Sequence, residues 1–229
     1  MFNLSKRLLK IAELVPKNSR VADIGTDHGY LPIYLIKNGV ATSVLACDIN
    51  QKPLNNAKKN IQRSNVLGIQ TRLCGGLSGI TADEVETIII AGIGGEVIAG
   101  ILENCSWVKN KKYTLLLNPT TSPEKLRDFL YSTGFSTDLE TAVCENGKCY
   151  TIIKTKFTGE FCAPQEYKLY IGELKPDSPH NVLYIKKQLS RLQKLNQSIK
   201  NIPLKQPEFL KTQTCINQIK KQLEAQNGT

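Results

Sequence analysis

The sequence predicts an α/β fold: a doubly wound, mostly parallel sheet with a terminal antiparallel hairpin, followed by an α-helical extension. Three observations carry this. From residue 20 to about 133, short apolar runs alternate with segments of helical spacing, the pattern of repeated βα units. At 145–147, Glu-Asn-Gly separates two strand-like runs, a strong hairpin signal. Beyond about residue 160 strand signals stop and apolar residues recur every three or four positions.

Residues 3–15 place Leu4, Leu8, Ile11 and Val15 at helical spacing, a helix capping the sheet. Strand one is Arg20 to Ile24. A Gly-containing turn follows, then a helix from Leu31 to Lys37 closed by Asn38-Gly39. Strand two is Ser43 to Cys47, with Asp48 at its carboxyl end. The next helix begins near Pro53, which suits a first turn. Strand three is Gln70 to Cys74. Strand four, Thr87 to Ala91, is continuously apolar, as a strand buried on both faces reads. A helix follows from Glu96 to about Leu102. Strand five is Tyr113 to Leu117, and a helix from Pro123 to Thr133 is capped by Gly134. The domains divide as 1–159, the sheet, and 160–229, a basic helical coiled coil. In the second, Val182, Ile185, Leu189, Leu192 and Ile199 form one seam with Asn196 on it. Phe209, Ile216, Ile219 and Leu223 form another beyond Pro203 and Pro207.

The turn after strand one reads D-I-G-T-D-H-G at 23–29. A nicotinamide site wants G-x-G-x-x-G, whose middle glycine lets a pyrophosphate lie against the helix N-terminus. Here Asp27 holds the middle position. A carboxylate there repels a pyrophosphate but suits a sulfonium, so the turn favours S-adenosylmethionine. The closing hairpin points the same way. Asp48 at the end of strand two is placed for ribose hydroxyls, or for a plain helix cap. The loop A-G-I-G-G at 91–95 admits a flat base or the methionine end of a cofactor, or serves helix packing. His28 reads as a proton shuttle or as a polar helix-end residue.

The 229 residues carry 41% hydrophobic residues and a net charge of +10. From residue 158 onward, 11 Lys and Arg stand against 6 Asp and Glu, half of the excess. Such a balance suggests a polyanionic partner, because lysines and arginines gain affinity by releasing counterions. A merely solvated charged face is the other reading. Seven cysteines show no C-x-x-C, and His28 and His180 lie far apart, so zinc spacing is absent and no metal is expected. Most of the cysteines read as small core residues in a reducing compartment. The N-terminus is charged through its apolar positions, and no run of about 18 apolar residues occurs. A cytoplasmic monomer, away from membranes, is expected.

With these residues collected, the chain resembles the bacterial tRNA (adenine-22-N1)-methyltransferase family, the TrmK family. The resemblance rests on R-L-L-K-I-A at 7–12, V-A-D-I-G-T-D-H-G-Y-L-P at 21–32, A-C-D-I-N at 46–50, G-G-L at 75–77, I-I-I-A-G-I-G-G at 88–95 and E-N-G-K-C-Y at 145–150. One stretch departs from it. Where the family has L-x-L-Q-P-N after strand five, this chain has L-L-L-N-P-T, with Asn118 and Thr120 replacing Gln and Asn.

The resemblance implies methyl transfer from S-adenosylmethionine to N1 of an adenine in the tRNA D-loop. Cofactor contacts are then expected from Asp23, Gly25, Asp48, Ile49, Gly75, Gly76, Leu77, Ala91, Gly92 and Ile93. Asp27 is the candidate to stabilise the cationic product or accept from the exocyclic amine, and Tyr30 to stack on the adenine. Substrate contacts are expected from His28, Gly94, Gly95 and Asn118, with Lys186, Lys187, Arg191 and Lys194 gripping tRNA. Two other readings compete: a methyltransferase for a protein or small molecule, and a non-catalytic RNA-binding module.

Overall fold

The computed structural model describes residues 4–225. The first residue of the helix expected over 3–15, and the outer ends of both expected domains, lie outside it. Seven strands form one sheet: β1 (Ser19–Ile24), β2 (Ala41–Asp48), β3 (Ile69–Leu73), β4 (Thr87–Ile93), β5 (Thr114–Pro119), β6 (Phe135–Glu145) and β7 (Lys148–Phe157). Their order is β3-β2-β1-β4-β5-β7-β6. The first five are parallel to one another. The hairpin closes the sheet by inserting β7 antiparallel between β5 and β6. Its turn, Asn146-Gly147, has φ of 49° and 75°, the positive pair that a two-residue hairpin turn requires.

Helices α1 (Lys6–Leu14), α2 (Tyr30–Lys37), α3 (Gln51–Ser64), α4 (Gly95–Glu103) and α5 (Pro123–Ser132) cover the sheet. Alternate residues of the central strands face two separate cores. Ile88, Ile90, Leu115 and Leu117 pack with Ile98, Leu102 and Leu126 of α4 and α5. Ile89 and Leu116 pack with Ile11, Leu31 and Leu35 of α1 and α2. That is why strand four reads as an unbroken apolar run.

The C-terminal part begins with a short helix missed in the sequence, α6 (Glu166–Ile171), then α7 (Pro179–Ile199) and α8 (Gln206–Glu224). The seam residues Ile185, Leu192, Ile199, Ile216 and Ile219 are buried. The buried Asn196 fixes the register by donating to Phe209 O at 2.9 Å and Thr212 Oγ1 at 2.8 Å. This unit shares its core with the sheet, since Ala142 of β6 packs among Ile171, Leu174 and Tyr184. Asn181 Oδ1 accepts from Ala142 N at 2.8 Å and His180 Nδ1 from Cys144 N at 3.1 Å, latching the start of α7 to β6.

The cysteines need a correction. Cys144 and Cys149, directly opposed on β6 and β7, form a disulfide, because opposed cross-strand residues bring their side chains within bonding reach. Cys162 is exposed, while Cys47, Cys105 and Cys215 are buried and burial pushes their thiols up. Among the described residues no helix is long and apolar enough to cross a membrane.

Candidate functional site

The expected site residues lie along the carboxyl ends of the parallel strands, where doubly wound sheets bind ligands. The backbone brings them together by register. Gly25 N and Thr26 N donate to Cys47 O at 2.8 and 2.9 Å, which sets the turn after β1 beside Asp48. Cys74 N donates to Asp48 O at 3.0 Å, so Gly75 and Gly76 follow next. On the other side Ile24 stands opposite Ile90, and Ala91 opposite Asn118.

Asp23 is 7% exposed. Burial pushes its carboxyl up to about 6; the nearby charge of Asp48 adds to this and a hydrogen bond with Thr26 works against it. No cation among the described residues pairs with it. Gly25 has φ 82°, and a Cβ there would meet nothing within 4 Å, so the backbone at this point borders open space. Asp48 accepts from Asn50 N at 2.7 Å through Oδ1. Beside it Ile49 is 70% exposed, and a Cβ on Gly75 would lie 3.5 Å from Ile49 Cδ1. A buried acid with no cationic partner among the described residues, an open backbone surface, a second acid and an exposed apolar wall fit a ligand with a cationic amino-acid end and an adenosine. S-adenosylmethionine has both, so these residues fit it.

Asp27, His28 and Tyr30 come together at the start of α2. His28 Nε2 lies 3.1 Å from Asp27 Oδ2. Its ring stacks on Tyr30, with centroids 5.2 Å apart and planes 16° from parallel. Asn60 Nδ2 donates to His28 O at 2.9 Å, tying the turn to α3. Gly29 has a different task from Gly25: a Cβ there would come within 3.2 Å of Ala57 Cβ, so it permits close packing of α2 on α3.

The structure packs four of the expected contact residues against other parts of the chain. Leu77 is 3% exposed and sits in the core under α4, which leaves only its backbone toward the loop. Gly95 is buried: a Cβ there would clash with Ser122 O, and its N–H donates to Thr121 O at 2.8 Å. A Cβ on Gly94 would lie 2.9 Å from Thr121 Oγ1. These two glycines lock the loop after β4 onto the turn after β5. Asn118 lies within β5 and is fully buried. Its Nδ2 donates to Thr151 O at 2.7 Å and its Oδ1 accepts from Arg7 Nη1 at 2.6 Å, so its amide is committed to the protein. Gly76 is also packed, with a Cβ position 3.0 Å from Ile101. Gly92 instead faces Arg7, at 3.5 Å from Nη1 to the position of an added Cβ. Ala91 and Ile93 flank it at the end of β4.

Lys186, Lys187, Arg191 and Lys194 are all exposed on α7. Two of them also tie α7 to the first part of the chain: Lys187 Nζ donates to Gly147 O in the β6–β7 turn at 2.6 Å and Arg191 Nη2 to Glu124 Oε1 on α5 at 3.0 Å. Arg7 entered the sequence reading only as part of the capping helix and of the R-L-L-K-I-A stretch, with no role at the site. A cation in the first helical turn, against the helix dipole, was the available signal.

Residues 4–153 match the family described as Methyltransferase domain. The chain is 34% identical over 194 residues to the tRNA (adenine(22)-N(1))-methyltransferase of Bacillus subtilis, covering 83% of this chain and 82% of that one. Among solved structures it is similar to the Bacillus subtilis m1A22 tRNA methyltransferase TrmK, with a TM-score of 0.80 and 27% identity over 98% of this chain and 99% of that one. It is also similar to Mycoplasma capricolum TrmK in complex with the cofactor product S-adenosyl-homocysteine, with a TM-score of 0.76 and 31% identity over 95% and 96%.

Proposed function

The chain belongs to the tRNA (adenine-22-N1)-methyltransferase family, and on that premise we propose that it methylates N1 of an adenine in the D-loop of tRNA. It is an S-adenosylmethionine-dependent methyltransferase. The observation that carries the reading is the row Asp23, Gly25, Asp48 and Ile49, whose chemistry fits the cofactor at the carboxyl ends of β1 and β2.

S-adenosylmethionine, when bound, supplies an electrophilic methyl group. The protein's part is placement. N1 of adenine has a free lone pair, so the transfer asks for alignment more than for a strong base. Asp23 would hold the cationic amino-acid end, Asp48 the ribose hydroxyls and Ile49 the face of the base. The product adenine is cationic, and Asp27 is the acid at the rim that stabilises the developing charge. His28 holds Asp27 in place, and Tyr30 extends the flat surface on which the adenine stacks. N1 lies on the pairing edge, so the base leaves its stack to enter the site. The exposed Lys186 and Lys194 of α7 contact the tRNA backbone.

Purified protein incubated with labelled S-adenosylmethionine and unmodified tRNA transcripts tests this. Label recovered as N1-methyladenosine is the expected result. Cofactor binding without any RNA labelling would contradict it and point to a protein or small-molecule acceptor.

A further inference from the structure

Arg7 is the second residue of α1, and its guanidinium reaches the carboxyl ends of β4 and β5. Nη1 donates to the buried Asn118 and faces Gly92. The guanidinium carbon lies 5.5 Å from the centroid of the Tyr150 ring. The Glu145 carboxylate stands 3.8 Å from Nε, beyond hydrogen-bond distance. The side chain is 20% exposed. Residues of four strands, β4 to β7, therefore surround this group at the rim of the site and leave it partly exposed.

A structural role alone does not account for it. A guanidinium has five N–H donors, and among the described residues Arg7 commits one hydrogen bond. Arg127, a structural arginine, donates to Glu140, Leu169 O, Tyr170 O, Thr151 and Tyr184. Arg7 also stands in the first turn of a helix beside Lys6, with no acid in that turn. Cations there oppose the helix dipole, and the summed potential favours an anion. Glu145 supplies a single long contact, weaker than the bidentate pair a guanidinium makes with a phosphate.

We propose that Arg7 is an oxyanion-binding residue of the methyl-transfer site, which takes a backbone phosphate beside the adenine being methylated. The inference rests on the tRNA methyltransferase reading. The same chemistry has a second source, the carboxylate of the cofactor's amino-acid end. Its anchors Asn118 on β5 and Tyr150 on β7 lie two and three strands beyond Asp23 on β1, to which the cofactor's amino-acid end is assigned, and this favours the phosphate. A base drawn into the site brings its own sugar-phosphate to this rim.

The test compares the full-length wild type with Arg7→Ala and Arg7→Lys. Substrates are a tRNA with normal phosphates and one with a methylphosphonate on either side of the target adenosine. Arg7→Ala is expected to raise the KM for tRNA about tenfold and to lower the salt slope of tRNA binding by about 1. Arg7→Lys, which keeps the charge and a donor for Asn118, recovers part of this. The methylphosphonate weakens the wild type but costs Arg7→Ala nothing further. A rise confined to the KM for S-adenosylmethionine, additive with the methylphosphonate, assigns the oxyanion to the cofactor's carboxylate. Both KM values unchanged in Arg7→Ala would overturn the proposal. A wild type that leaves tRNA unmethylated while binding cofactor would instead sink the underlying reading, and the wild-type reaction alone reports that.

Discussion

The guanidinium of Arg127 and the carboxylate of Glu140 meet at 2.7 Å with side chains 2% and 1% exposed. Burial works against the charge of Arg127, and Glu140 with Tyr184 outweighs it, so the guanidinium is held above its ordinary pKa. The pair joins α5 and β6, and the same guanidinium takes the last carbonyls of α6 and reaches Tyr184 of α7. One buried charge thus bolts the C-terminal helices to the sheet. The network continues toward the site: Arg127 donates to Thr151 Oγ1, and Thr151 O holds Asn118.

Arg127→Leu leaves Glu140 buried without its cation. The expected cost is about 3–5 kcal/mol, read as a fall in melting temperature. Removal of both charges, Arg127→Leu with Glu140→Leu, recovers much of that loss. Equal melting temperatures for the wild type and Arg127→Leu would contradict the assignment.

Asp48 is expected to carry a charged hydrogen bond to the cofactor, worth roughly 1.5–3 kcal/mol. Asp48→Ala should weaken S-adenosylmethionine binding about 10- to 100-fold by calorimetry, with tRNA binding unchanged. Asp48 also caps Asn50 N, so Asp48→Asn, which keeps an acceptor there, separates the two roles.

Asp27 faces solvent and His28 and does not buttress the fold. Asp27→Ala should keep cofactor affinity and melting temperature while kcat falls about 10²-fold, within the range for one electrostatic group in a transition state. Wild-type turnover in this variant would remove Asp27 from the mechanism.

The raised pKa of Asp23 gives two pH effects of opposite sign. Between 3.8 and about 6 the folded protein holds a proton that the unfolded chain has lost. Its contribution to stability therefore falls as pH rises through this window, by about 3 kcal/mol in all. A cationic ligand prefers the ionised carboxylate, so S-adenosylmethionine affinity should rise with pH up to about 6 and then level. Asp23→Asn should flatten both curves. Cofactor affinity independent of pH from 5 to 7 in the wild type would contradict this placement.

Deleting the C-terminal helices would uncover Arg127 and the apolar patch around Ala142, so point variants test the basic face more cleanly. Lys186→Ala with Lys194→Ala avoids Lys187 and Arg191, which tie α7 to the hairpin turn and to α5. The double variant should weaken tRNA binding and lower the salt slope by about 2, since each lysine neutralises one phosphate. An unchanged slope would make this face a solvated surface.

The strands, the hairpin and the position of Asp48 at the end of β2 were legible because each has a local signature. Apolar runs, Asn146-Gly147, and an acid at the end of β2 all read directly from short stretches. Long-range packing was not legible. Gly94 and Gly95 look like ligand glycines until Ser122 and Thr121 are seen against them. Asn118 resembles a substrate residue until Thr151 and Arg7, 33 and 111 positions away, take its amide. The disulfide depends on the hairpin register and not on cysteine spacing. The boundary at residue 159 was placed by composition, whereas Arg127 and Asn181 join the two parts through long-range hydrogen bonds that composition does not encode.

The most direct test of the account is primer extension on tRNA transcripts treated with the protein and S-adenosylmethionine, because a methyl group on N1 blocks base pairing and stops reverse transcription. The account predicts one new stop at an adenine of the D-loop, absent without cofactor and absent when that adenine is replaced by guanine. A stop elsewhere in the tRNA, or no stop in a reaction where cofactor binding is measured, would contradict it.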